Sequence, residues 1–150
     1  MNGMTLKEQL NDAMKAAMKA RDNLRLSAVR MVRAAVKNRE IETRTELDNQ
    51  AVIDVISTLV KQRRESIRMY RDGNRLELAE KEELELAVLL EFLPTQLNSE
   101  EIESIIRQII LDLAASGAKD MGRVMKAVTP LTACKADGKL VSDAVRRLLA

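Results

Sequence analysis

The residues of this chain best placed to share one chemistry are the cations Lys119, Arg123, Lys126, Lys135 and Lys139. With Arg146 and Arg147 they outnumber the only carboxylates nearby, Asp120, Asp137 and Asp143. Ammonium and guanidinium groups spread in this way suit a polyanion, because each phosphate neutralised releases condensed counterions. Gly122 and Gly138 would let a backbone approach closely. A helix starting near Asp137-Gly138-Lys139 would turn unpaired amides toward a phosphate. The alternative is that Asp137 caps that helix with its own side chain and Gly138 only eases the turn. No aromatic lies in this stretch to stack on bases, so any nucleic acid would be read by shape and backbone.

Two further basic stripes precede it. Arg30, Arg33 and Lys37 stand at spacings of three and seven, on one helical face, and Lys61, Arg64, Arg68 and Arg71 repeat the pattern. Either stripe could follow a phosphate backbone. Either could equally be a solvated face, or pair with the acidic run from Glu77 to Glu91, since the net charge is only +2.

Other chemistries find little support. The chain has no histidine, which removes the commonest metal ligand and general base. The single cysteine, Cys134, has no second thiol with which to form an intrachain disulfide. It reads as a small buried apolar residue, because an activated thiol needs a neighbouring base or cation and only Lys135 adjoins it. Glu82, Glu83 and Glu85 read as a solvated helix face, and no Gly-rich phosphate loop accompanies them. No catalytic residue, metal or cofactor is therefore expected.

The elements that position these side chains are helices. Hydrophobic residues make up 46% of the 150, but aromatics only 1%, Tyr70 and Phe92. An aliphatic core containing eight methionines suits helix-on-helix packing and not sheet. Apolar periodicity predicts a first helix over about Thr5–Ala20, opened by a Thr5–Glu8 capping box. A second runs from about Leu24 to Glu42. A third runs from about Gln50 to Arg71, capped by Asp48 or Asn49 and ended at Gly73 as a left-handed cap. A fourth runs from about Arg75 to Glu91 on Leu76, Ala79, Leu84, Ala87 and Leu90. Leu93-Pro94 is the expected boundary. Beyond it come a helix opened by Asn98 and Glu101, a shorter one from Asp120 that stops near Pro130, and a last one from Asp137. The reading is an all-α protein: an N-terminal region of about four helices, 1–93, and a small three-helix domain, 94–150.

Several motifs in this order resemble those of the YqeY family of small bacterial proteins. They are Arg25-Leu26-Ser27 with Arg30-Met31, Lys61-Gln62-Arg63-Arg64-Glu65-Ser66, Lys81-Glu82-Glu83, Phe92-Leu93-Pro94-Thr95-Gln96-Leu97, Lys119-Asp120-Met121-Gly122-Arg123-Val124-Met125 and Ala136-Asp137-Gly138-Lys139-Leu140-Val141. The C-terminal part is similar to the tail domain of the B subunit of the glutamine-dependent aminoacyl-tRNA amidotransferase. The family usually places Gly and a basic residue where this chain has Cys134 and Lys135. The resemblance implies a tRNA-associated accessory protein whose tail meets the outer corner of tRNA through Lys119, Arg123, Lys126, Lys135 and Lys139. The stripes on helices two and three would add basic surface or dock a protein partner in aminoacyl-tRNA metabolism. The family's label, carbon–nitrogen ligase with glutamine as amide donor, describes the whole multi-subunit enzyme, and its catalysis is not carried over to 150 residues. Two other readings stay open: a helical adaptor that binds proteins through its Met-bearing faces and acidic fourth helix, and an enzyme subunit active only inside a larger complex. The N-terminus lacks the long apolar run of a signal peptide, and no stretch approaches the roughly 20 apolar residues of a membrane span. No membrane partner is expected, and the cytoplasm is the expected location.

Overall fold

The computed structural model describes residues 4–150. They form seven α-helices and a 3₁₀ turn, with no strand among them: α1 Leu6–Ala20, α2 Asn23–Thr43, α3 Asn49–Asp72, α4 Leu76–Leu90, α5 Ser99–Leu113, the turn Ala118–Asp120, α6 Met121–Thr132 and α7 Gly138–Leu149. The all-α class expected from the aliphatic composition is what the chain adopts. It divides into two compact units, one ending at Leu93 and the other beginning at Pro94.

The helix starts follow from local hydrogen-bond accounting. The first N–H groups of a helix lack intrahelical acceptors and must find them elsewhere. Thr5 accepts from the Glu8 amide, Asp22 from Arg25, Asp48 from Ala51 and Asn98 from Glu101. At α5 the capping box is complete, with Glu101 accepting in return from the Asn98 amide. At α1, Thr5 instead turns its hydroxyl to donate to the Glu8 carboxylate. Asp48 and Asn49 divide the work that one of them was expected to do. Asp48 caps α3, while Asn49 Oδ1 accepts from the Leu6 amide at 2.9 Å and so caps α1 from 43 residues away.

In the first unit α1 packs on α2, α3 on α4, and α2 against both α3 and α4. Leu10, Val29, Val32, Val52, Ile56 and Leu89 are wholly buried there. In the second unit α5, α6 and α7 pack mutually around Ile102, Ile106, Val124, Val128, Val141 and Val145.

Three expectations need correction. Gly73 does not take the left-handed cap: its φ is −84°, and Asn74 takes φ +56° instead. Asn tolerates that region better than most residues. Pro130 does not stop α6, which continues to Thr132. Proline removes only one donor, this one lies on an exposed face near the helix end, and the ladder resumes with the Ala133 amide on the Thr129 carbonyl at 2.9 Å. The buried face of α4 is also not the predicted row. Leu76, Leu84 and Ala87 are exposed, whereas Ala79, Glu85, Val88 and Leu89 are buried.

Candidate functional site

Two regions carry the basic residues singled out above, and they use them differently. In the second unit, Lys119 lies in the 3₁₀ turn and Arg123 and Lys126 on the first turns of α6. Lys135 lies in the α6–α7 loop and Lys139 in the first turn of α7. All five are exposed. Arg123 is held by Asp120 (3.3 Å) and donates to the Leu113 carbonyl at 3.2 Å. Lys139 is 3.6 Å from Asp143. Lys126 and Lys135 have no ion pair among the described residues. The five do not converge on one point. Lys119 and Arg123 precede or open α6, and Lys135 and Lys139 follow its end, so about 14 Å of helix lies between the pairs. Such a spread fits contact with an extended backbone better than capture of a single small anion.

The loop joining α6 to α7 is fastened to the segment ahead of α5. The Leu97 amide donates to the Lys135 carbonyl at 2.8 Å, and Gln96 Nε2 donates to the Cys134 carbonyl at 2.9 Å. Between these bonds Cys134 is held at φ +63°. The backbone at this position is therefore one that favours glycine. The thiol is half-buried and not the fully packed apolar side chain expected. Fixing this turn fixes Lys135. Asp137 caps α7 by accepting from the Lys139 amide at 3.1 Å. A β-carbon built at Gly122 or Gly138 would meet nothing within 4 Å, so no packing inside the protein accounts for glycine in either first helical turn. Near the other end of α6, Asp120 accepts from the Ser116 amide, and that bond, aided by Arg123, holds its carboxyl below the usual range of 3.8.

In the first unit the acidic helix is turned inward. Arg63 of α3 is the hub. It pairs with Glu82, lies 3.0 Å from Glu85 and donates to the sulfur of Met31 at 2.8 Å. Its side chain is 18% exposed and those of Glu82 and Glu85 are 18% and 11%. Glu83 pairs with Arg71. The solvated acidic face expected for Glu82, Glu83 and Glu85 is thus corrected: Glu82 and Glu85 lie at the α3–α4 interface, and Glu83 is half-buried against Arg71. This also removes most of the acidic fourth helix from an adaptor's surface. Of the helix-three stripe, Lys61 is exposed, Arg64 and Arg68 are half-buried, and Arg71 is engaged by Glu83. Arg63 lies off that stripe's spacing, and its partners are 19 and 22 residues ahead, so no local pattern singles it out.

Arg30, Arg33 and Lys37 do come together, on one wall of an open cleft of about 1230 Å³. Thr5, Lys7, Glu8 and Asn11 of the α1 side line it too, with Glu40 of α2 and the segment Glu46–Gln50. Lys7 ties its rim, 2.6 Å from Glu40 and 3.2 Å from Glu46. Glu40 also accepts from the Leu47 amide at 2.8 Å. The hydrogen bond from Lys7 holds the Glu40 carboxyl below its usual range, and that same bond raises Lys7. These lining residues come from three separate segments, which is why sequence reading found only the α2 trio.

An all-α chain of two compact units with an exposed basic tail defines the class. A match to the model of the Yqey-like protein family over residues 7–149 places the chain in the YqeY family. It is also similar to "Altered inheritance of mitochondria protein 41, mitochondrial" of several yeasts. The identity is 36% to that of Kluyveromyces lactis, over 71% of this chain and 60% of the relative. It is 34% to that of Vanderwaltozyma polyspora, over 69% and 58%, and 34% to that of Lachancea thermotolerans, over 71% and 59%. The chain thus spans about three-fifths of the curated relatives it matches. Their names overturn the cytoplasmic location expected above, since they are mitochondrial proteins. The physical reason is that mitochondrial targeting segments are amphipathic, so the lack of a long apolar run does not distinguish the two compartments. Among the described residues no helix is long and apolar enough to cross a membrane.

Proposed function

We propose that this protein is a tRNA-associated accessory module, without catalysis of its own, that grips the tRNA backbone with its C-terminal unit. The observation that carries the reading is the spread of exposed cations along and beyond α6. Lys126 and Lys135 have no ion pair among the described residues, and Lys135 is presented by a loop fastened through Leu97 and Gln96. A fixed backbone carrying uncommitted ammonium groups suits recognition of a folded polyanion by shape. Two exposed glycines, Gly122 and Gly138, leave room for a sugar–phosphate chain at the starts of α6 and α7. The relation to the amidotransferase tail domain rests on the sequence motifs. As to compartment, the reading follows the relatives, which are mitochondrial by name.

The test is fluorescence anisotropy with labelled whole tRNA and with a minihelix lacking the corner, across a salt series. The expected result is preference for whole tRNA, steep in salt, and weakened by combining Lys135→Ala with Lys139→Ala. Equal weak binding of both RNAs, indifferent to the substitutions, would overturn the reading.

A further inference from the structure

The cleft between α1, α2 and the α2–α3 loop lies within the first unit. Arg30, Arg33 and Lys37 form one wall and project over about 10 Å of α2. Arg33 rests on the sulfur of Met14 at 2.7 Å. Arg30 and Lys37 have no partner among the described residues. The carboxylates that line it are engaged inside the protein: Glu40, a turn beyond Lys37 on the same helix, and Glu46 by Lys7, Asp48 as the cap of α3, and Glu8 by the Thr5 hydroxyl. Ala34 and Leu47 add apolar surface, with Leu10 and Val36 buried beneath it, and the carboxamides of Asn11, Asn49 and Gln50 border it.

These features discriminate between occupants. At about 1230 Å³ and open to solvent, the cleft exceeds the ~300–1,000 Å³ usual for a small ligand. A nucleic-acid strand would bring its phosphates against Glu8, Glu40, Glu46 and Asp48 and would find no aromatic for its bases. A polypeptide suits the lining: its carboxylates face Arg30 and Lys37, its apolar side chains cover Ala34 and Leu47, and its amides reach Asn11, Asn49 and Gln50.

We propose that this cleft docks an acidic, apolar-faced segment of a partner protein, with Arg30 and Lys37 as the charge-reading residues. The experiment uses the full chain and fluorescence anisotropy with a labelled helical peptide of Glu, Ala and Leu, its Lys-for-Glu counterpart, and a single-stranded oligouridylate. The Glu peptide should bind, and the Lys peptide should not. Combining Arg30→Ala with Lys37→Ala should weaken the Glu peptide by about tenfold or more. Neither residue has a partner among the described residues, so the helical circular dichroism should be unchanged. Ala34→Gln, which narrows the cleft without altering charge, should weaken the peptide as well. The Lys135→Ala, Lys139→Ala variant should bind it like the wild type, which separates this inference from the tRNA reading. The inference fails if neither peptide binds, if both bind alike, if the two α2 substitutions leave affinity unchanged, or if the oligouridylate binds the cleft more tightly than the Glu peptide.

Discussion

The two units build their ion pairs in different ways. In the first, Arg63 and Arg71 of α3 meet the acidic α4, Arg25 clasps Glu91 with two bonds of 2.7 and 2.8 Å, and Lys7 bridges Glu40 and Glu46. These pairs join residues far apart in sequence and hold helices together. In the second, Arg123–Asp120, Lys139–Asp143 and Arg146–Asp143 lie within about one helical turn, and Arg147–Glu103 links separate helices. Pairs of that local kind contribute little to stability, so the tail's charge remains available to a ligand. The paired cations thus act as struts in one unit and mostly as local surface pairs in the other, while Arg30 and Lys37 display charge in the first unit as well.

The sharpest way to break this comparison is to remove the most buried strut. Arg63→Ala leaves Glu82 and Glu85 facing each other with little solvent, and urea unfolding should show a loss of about 3 kcal/mol. That is the lower end for a buried pair because some exposure remains. A loss under about 0.5 kcal/mol would mean that the network is no more than surface charge.

A smaller effect, of opposite sign, belongs to the second unit. Cys134→Gly relieves a left-handed backbone and should raise stability by about 1 kcal/mol, read as a higher urea midpoint. Cys134→Val at the same place should lower it.

Acidification acts on the struts of both units. Hydrogen bonds from Arg25, Lys7 and the Ser116 amide hold Glu91, Glu40 and Asp120 below their usual values of 4.5, 4.5 and 3.8. The unfolded chain then binds protons first, so the stability from these groups is complete above those values. It is lost as pH falls through the lower folded ones. Urea midpoints should be flat near neutrality and decline progressively below about pH 4.5. A midpoint that rose on acidification would contradict the assignment.

Smallest of all, Lys126→Ala and Lys135→Ala should change stability by less than about 0.5 kcal/mol, checked by the same unfolding curves. Any loss of RNA binding in these variants is then a surface effect and not unfolding. A large loss of stability would instead place the two lysines among the struts.

Much of the architecture was open to inspection in the residues themselves, for reasons that are local. Asn98 and Glu101 stand three apart before an apolar run, and a capping box needs nothing more. The aliphatic periodicity of α5 and α7 marks one face each, and Ile102, Ile106, Val141, Ala144, Val145 and Leu149 on it are buried, although Leu140, in the same α7 row, is exposed. In α4, Leu76, Leu78, Leu84, Leu86, Leu89 and Leu90 occur all around the helix. Apolarity alone could not choose its inner face, and the acidic residues looked like the outside. Of the proposed binding residues, the tail cations were visible as charge and spacing. The α2 trio was visible too, but not the cleft that it walls, because Asn11 and Asn49 reach it from other segments.

The sequence by itself determined the all-helical class, the helix starts, the aliphatic core and the absence of histidine chemistry, since each follows from residue type or short-range spacing. Only the tertiary structure decided which charges are consumed. Whether Arg63 is a strut or a contact, whether Glu85 is inside or out, and whether Cys134 must take a positive φ depend on groups between about 19 and 38 residues away. Electrostatic worth depends on burial, and burial is set by which helices meet.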